Sequence, residues 1–160
     1  AEVLKGKKQQ HRKHIYATHS GDRQHNVYPI RSVRNERFKY ILNLRPDCYH
    51  TNHTDLLRND GAGAYWDSWD EKAETDLIAQ RLINQYYVRP AVECYDLQND
   101  PDELHNLAAT GMYKSEFEKL ATLLEEWMNW QADRRMIFHQ PYLLYEDRPN
   151  RETVEERLRK

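Results

Sequence analysis

Two stretches near the start of the chain alternate apolar and polar residues with a period of two. His14–His19, reading HIYATH, is one, and it predicts a strand. The other is YPIRSVRNERFKYILNL, residues 28–44, which reads as two strands joined at Asn35-Glu36. In its second half Phe38, Tyr40, Leu42 and Leu44 fall on one face, and Arg37, Lys39 and Asn43 on the other. The joint lacks the glycine of a tight hairpin turn, so the hairpin rests on the alternation alone. Between the two stretches, SGDRQHN (20–26) has loop composition.

Residues 45–69 show no period and contain Pro46, Gly61, Gly63 and the aromatic group Tyr65, Trp66 and Trp69. The period then lengthens to that of a helix. Asp70 is placed to cap it, and Ala73, Leu77, Ile78, Leu82 and Tyr86 form its apolar stripe. Arg89-Pro90 ends it near Tyr87. AVECYDL (91–97) predicts a further strand. Asp100-Pro101-Asp102-Glu103 then has the grammar of a helix start, with Asp at the cap, Pro next and Glu closing a capping box. Tyr95 and Leu97 are expected on the core side.

A longer helix is predicted from between Thr110 and Ser115 to about Arg134-Arg135. Phe117, Leu120, Ala121, Leu124, Trp127 and Met128 make its wide apolar stripe. From Arg148 the chain is highly charged and expected to be exposed, although ETVEERLRK is compatible with a helix. This order predicts an α+β fold: a small antiparallel sheet of about four strands with a long C-terminal helix packed on one face.

Composition qualifies that picture. Mean hydropathy is −1.05 and 31% of residues are charged, values that would suit disorder in a chain poor in aromatics. Four Trp, eleven Tyr and three Phe argue instead for a folded domain with a small aromatic core. Net charge is only −2, yet residues 1–45 hold eleven Lys/Arg against three Asp/Glu. The basic quarter either faces an anionic ligand or packs on the acidic remainder.

Candidate chemistry is sparse. His11/His14 and His50/His53 repeat an H-x2-H spacing, but no Cys pair or HExxH accompanies them. They read as loop histidines. Cys48 and Cys94 match no redox or metal motif, and two cysteines leave a single bridge open. No serine stands in GxSxG or SxxK, and no glycine-rich phosphate loop occurs. RSVRNERFKY interleaves cations and aromatics as a single-strand binder does, and equally as the outer face of a hairpin does. No apolar run approaches a membrane span.

The stretch YPIRSVRNERFKYILNL, followed by YDLQNDPDELHNLA and a helix ending LLEEWMNWQAD, resembles the C-terminal region of the type I sulfatases. The resemblance covers roughly residues 14–133, and its wording is nearest to the sulfamidase (heparan N-sulfatase) branch. It implies a four-stranded antiparallel sheet with a long helix, docked on an N-terminal catalytic domain. In the family that domain carries a C-x-P-S-R motif, whose Cys becomes formylglycine, and the ligands of a calcium ion. Here Cys48 is followed by YHTN and Cys94 by YDLQ, so the chain is expected to lack both cofactors and to be inactive alone.

On this reading residues 1–20 are a linker and junction strand, 21–147 the sulfatase C-terminal domain and 148–160 a charged tail. The chain opens at Ala1 rather than Met, as a piece of a longer protein would. The resemblance turns the 20–26 loop toward a substrate cleft, with His19, Asp22, Arg23 and His25 as its substrate-binding residues. Arg31 and Arg34 are expected to bind acidic neighbouring elements instead. The expected partners are the catalytic domain and a sulfated saccharide, with neither nucleic acid nor membrane. The expected compartment is periplasmic, secreted or lysosomal. The alternative is a non-enzymatic module that binds acidic polysaccharide or nucleic acid, with an affinity falling steeply as salt rises.

Overall fold

The alternation of residues 28–44 becomes a hairpin of β2 (Ile30–Arg34) and β3 (Phe38–Asn43). Its turn needs no glycine because the Asn35 side chain accepts from the backbone N–H groups of Arg37 (2.9 Å) and Phe38 (2.7 Å). β1 (Ile15–His19) and β4 (Val92–Asp96) complete a four-stranded antiparallel sheet in the order β1-β2-β3-β4. The structure, a computed structural model, describes residues 3–7, 11–58 and 63–159. Part of the predicted N-terminal linker, residues 1, 2 and 8–10, therefore lies outside the described residues.

By its internal contacts the chain divides into two units. The first comprises residues 1–18, 31–42 and 92–133. In it β3 and β4 pair with Phe38 opposite Asp96, Tyr40 opposite Cys94 and Leu42 opposite Val92. This face, with Val33, packs against Phe117, Leu120, Leu124 and Met128 of the long helix α4 (Lys114–Trp130). The α4 stripe is thus the one its spacing predicts, and each such buried side chain contributes about 1.5–3 kcal/mol. Tyr16 stacks on Trp127 with ring centroids 5.0 Å apart. Arg31 reaches Asp133, beyond the end of α4, in a buried two-pronged ion pair. Arg34 does not share that role: it is exposed, and its Nε–H donates to the neighbouring Asn35 carbonyl.

The helix start expected at Asp100 does not form. Asp100 accepts from Leu104 N (3.1 Å) and His105 N (2.9 Å), closing a turn that propagates no further. Glu103 adopts a left-handed φ of 57° and binds Lys39 at 2.7 Å, so it closes no capping box. The segment serves β4 instead. Asn106 Oδ1 accepts from Cys94 N (2.9 Å), its Nδ2 donates to the Val92 carbonyl (3.1 Å), and Leu107 N donates to the Cys94 carbonyl (2.8 Å). These bonds occupy the open edge of the sheet. Tyr95 is buried but lies on the face opposite Cys94, its hydroxyl donating to Glu93 at 2.6 Å, so Cys94 is the residue facing α4.

The second unit comprises residues 19–30, 43–91 and 134–160. The single helix expected over 70–87 is two: α2 (Tyr65–Thr75) and α3 (Leu77–Tyr87). Asp76 breaks them because it adopts an extended backbone and caps α3, accepting from the amides of Ile78 and Ala79. The break shifts the buried stripe to Ile83 and Tyr87, which pack with Trp66, and leaves Leu77 and Ile78 exposed. Asp70 caps nothing; it sits within α2 and binds Arg58 (2.7 Å) and Arg148 (3.0 Å).

A short helix α1 (His53–Leu57) begins at an Asn52/Asp55 capping box. The charged tail forms α5 (Arg151–Leu158), and it is not wholly exposed: Val154 is buried against Leu56 and Tyr142. Among the described residues no helix is long and apolar enough to cross a membrane.

Candidate functional site

The 20–26 loop is a closed structure within the second unit. Asp22 and Asn26 form an isolated antiparallel bridge, with Asp22 N donating to Asn26 O at 2.6 Å and His25 N donating to Asp22 O at 3.1 Å. Gly21 enters the loop at φ 136°, where a Cβ would stand 2.8 Å from the Asn26 carbonyl oxygen. The loop is anchored from behind. Tyr142 donates to the Gln24 carbonyl (2.7 Å), Thr51 to the His25 carbonyl (2.8 Å), and Tyr28 N to the Asn26 side chain (3.1 Å). The buried Asn26, Val27, Tyr28 and Pro29 hold its base.

Four side chains converge on this loop. Asp22 meets His53 Nδ1 at 3.1 Å, and the His53 ring stacks on His25 with centroids 4.2 Å apart and planes 18° apart. Arg23, exposed and held at a left-handed φ of 47°, lies near enough to act on His25 electrostatically. Burial lowers the His25 pKa, and His53 and Arg23 lower it further while Asp22 opposes them. His25 therefore stays neutral at pH 7, its half-buried ring offering a donor and an acceptor rather than a charge. The Asp22–His53 pair is about half exposed on both sides, so it orients the imidazole more than it stabilises the fold.

Of the residues predicted from sequence, Asp22, Arg23 and His25 come together. His19 is half-buried at the end of β1, three residues upstream of Asp22. His53 was missed as a member of this group. It stands in an H-x2-H spacing with His50, and the two diverge. His50 is half-buried with its ring edge-on to Tyr28 and Tyr86, and His53, the first residue of α1, is exposed beside the loop. Proximity to an Asp 31 residues earlier leaves no local signal.

Among the described residues no group of three or more His, Cys, Asp or Glu is arranged to hold a metal ion. Both cysteines are free and buried. Burial pushes the Cys48 thiol up to about 11 and the Cys94 thiol up to about 12, so neither is a thiolate near neutral pH. What the loop can do is bind: an arginine and two imidazoles give several N–H donors at one exposed spot, suited to the oxygens of an anionic ligand.

No protein-family model matches the chain. Among curated proteins, an ulvan-active sulfatase of Formosa agariphila is 31% identical over 133 residues, spanning 82% of this chain and 24% of its own length. The N-sulphoglucosamine sulphohydrolase of Homo sapiens is 27% identical over 146 residues, spanning 83% of this chain and 26% of its own. Among solved structures, a 2-O GAG sulfatase superposes with a TM-score of 0.51 at 18% identity, covering 94% of this chain and 26% of that one, a likeness of fold. The chain spans about a quarter of the length of each of these relatives. With sulfatases matching most of its length and a four-stranded sheet under a long helix, the chain belongs to the sulfatase family, consistent with that family's C-terminal domain.

Proposed function

We propose that the chain is the C-terminal domain of an enzyme that hydrolyses sulfate from a sulfated saccharide, and that its 20–26 loop contacts the anionic sugar. The observation that supports this most is the grouping of exposed Arg23 with the stacked His25 and His53 on a loop whose backbone is pinned from three sides. A guanidinium donates two parallel N–H bonds to a sulfate or carboxylate. Asp22 holds His53, and neutral His25 adds a hydrogen bond without a competing charge.

The bond-breaking groups lie outside this chain. A formylglycine nucleophile and a calcium ion, which the family uses, do not fit the residues present: both cysteines are buried, neither stands in C-x-P-S-R, and among the described residues no group of three or more His, Cys, Asp or Glu is arranged to hold a metal ion. The residues of this chain accordingly bind and orient. The N-sulfate of glucosamine in heparan-type saccharides is the substrate we favour, on the wording of residues 28–44 and the human relative. That substrate is met in periplasmic, secreted or lysosomal compartments, with the catalytic domain as the partner of this one.

The test uses the full-length enzyme with N-sulfoglucosamine and O-sulfated disaccharides. Arg23→Ala is expected to lower kcat/KM about tenfold or more, mainly through KM, as the loss of a binding contact does. Unchanged kcat/KM removes Arg23 from the substrate rim. Turnover of N-sulfoglucosamine by the 160-residue chain alone would contradict its role as a non-catalytic domain.

A further inference from the structure

Within the second unit, α1, α2 and α3 enclose a cavity of about 540 Å³ whose walls are aromatic. Trp66 forms the floor, 3% exposed, with Tyr86 at 4.7 Å and Trp69 at 5.1 Å between ring centroids. Tyr65 lies 4.6 Å from Trp69, and these two rings are nearly half exposed on a helix that is otherwise strongly polar. Asn52 and Thr54 line the cavity as well, and they flank His53. Large aromatic faces left open at the mouth of a built cavity mark a binding site more than a packing defect.

One polar atom narrows the ligand. The indole N–H of Trp66 is buried and finds no acceptor among the described residues. A buried donor or acceptor left unmet is unfavourable, so the fitting ligand supplies hydrogen-bonding groups as well as an apolar face. A purely apolar ligand leaves the indole N–H unmet. An anion finds little to hold it: among the described lining residues the one cation is Lys72, which Asp76 already holds at 2.9 Å. A sugar ring meets the conditions: its C–H face lies flat on an aromatic ring, and its hydroxyls both donate and accept.

We infer that the Tyr65–Trp66–Trp69–Tyr86 cavity binds an unsulfated ring of a saccharide chain, recognised by stacking and hydroxyl hydrogen bonds rather than by charge. The choice of a saccharide rests on the function proposed above, but the site and its chemistry are separate from the Arg23 rim. It adds a subsite that holds the polymer irrespective of sulfation.

The test is calorimetric titration of the 160-residue chain, and of the full-length enzyme, with unsulfated tetrasaccharides of heparosan, chondroitin and xylan and with sulfated heparin tetrasaccharide. Saturable binding of at least one unsulfated ligand is expected, little changed between low and high salt. Trp69→Ala and Tyr65→Ala, both at exposed positions, should each weaken it about tenfold. Trp66→Phe keeps an aromatic ring but removes the N–H, and should weaken binding with the melting temperature preserved. Trp130→Ala, at an exposed tryptophan of the first unit, should change nothing. The inference is overturned if no unsulfated ligand binds, if binding requires sulfate and collapses in salt, or if Trp69→Ala and Tyr65→Ala bind as the parent does. Arg23→Ala separates the two sites: loss of turnover with tetrasaccharide binding intact supports both, and unchanged turnover counts against the rim alone.

Discussion

Gly21 and Gly63 show how single positions set the shape of the second unit. At Gly21 the backbone φ of 136° and the Asn26 carbonyl, 2.8 Å from a would-be Cβ, both exclude a side chain. Gly21→Ala should cost about 1–3 kcal/mol and loosen the Asp22–Asn26 bridge, visible as a lower denaturation midpoint and faster amide exchange at Asp22. At Gly63 a Cβ would lie 2.1 Å from the Thr54 carbonyl oxygen, so Ala there forces α1 to move. Asp55 makes a sharper prediction. Burial raises its pKa to about 6, above the ordinary carboxylate value of the unfolded chain. The folded state then holds the proton more tightly, so stability is highest below the unfolded value and falls as pH rises through about 6. The loss is roughly 3 kcal/mol for a shift of this size. Asp55→Asn should flatten the urea midpoint between pH 4 and 7. Asp96 runs the other way. Arg37 draws its pKa down to about 2, so its contribution is present at neutral pH and is lost as pH falls through that value.

At the scale of elements, legibility in the sequence depended on whether a segment's partners were local. The hairpin and α4 were readable because period-two and 3.6-residue patterns report directly on which face is buried. The α2–α3 break was not, because Asp76 reads equally well as an exposed position of one long helix. Its capping of Ile78 and Ala79 decides between them. Asp76→Ala should therefore cost about 1 kcal/mol, a usual N-cap loss, and reduce helical circular dichroism modestly. Leu124→Ala, in the middle of the α4 stripe, should cost about 2–5 kcal/mol, the range for a buried leucine. The Asp100 turn shows the opposite failure. Its residues have a helix-start grammar, yet Asn106 and Leu107 are drawn to the open edge of β4, whose unpaired backbone groups outcompete another helical turn.

For the whole molecule, the two cysteines provide a reporter in each unit: Cys94 in the first and Cys48 in the second, both essentially inaccessible. Neither should react with a thiol reagent under native conditions, and both should react once the chain unfolds. Fast native labelling of Cys48 alone would mean that the second unit opens by itself. The sequence by itself determined the class of fold, the main helix and the family, because these depend on periodicity and on wording contiguous along the chain. It also placed Asp22, Arg23 and His25 in one loop. Only the tertiary structure brought His53 to that loop, sent His50 inward against Tyr28 and Tyr86, and set the aromatic cavity across three helices. The physical reason is that such contacts join residues tens of positions apart, and their energy depends on burial and facing geometry that a linear pattern does not record.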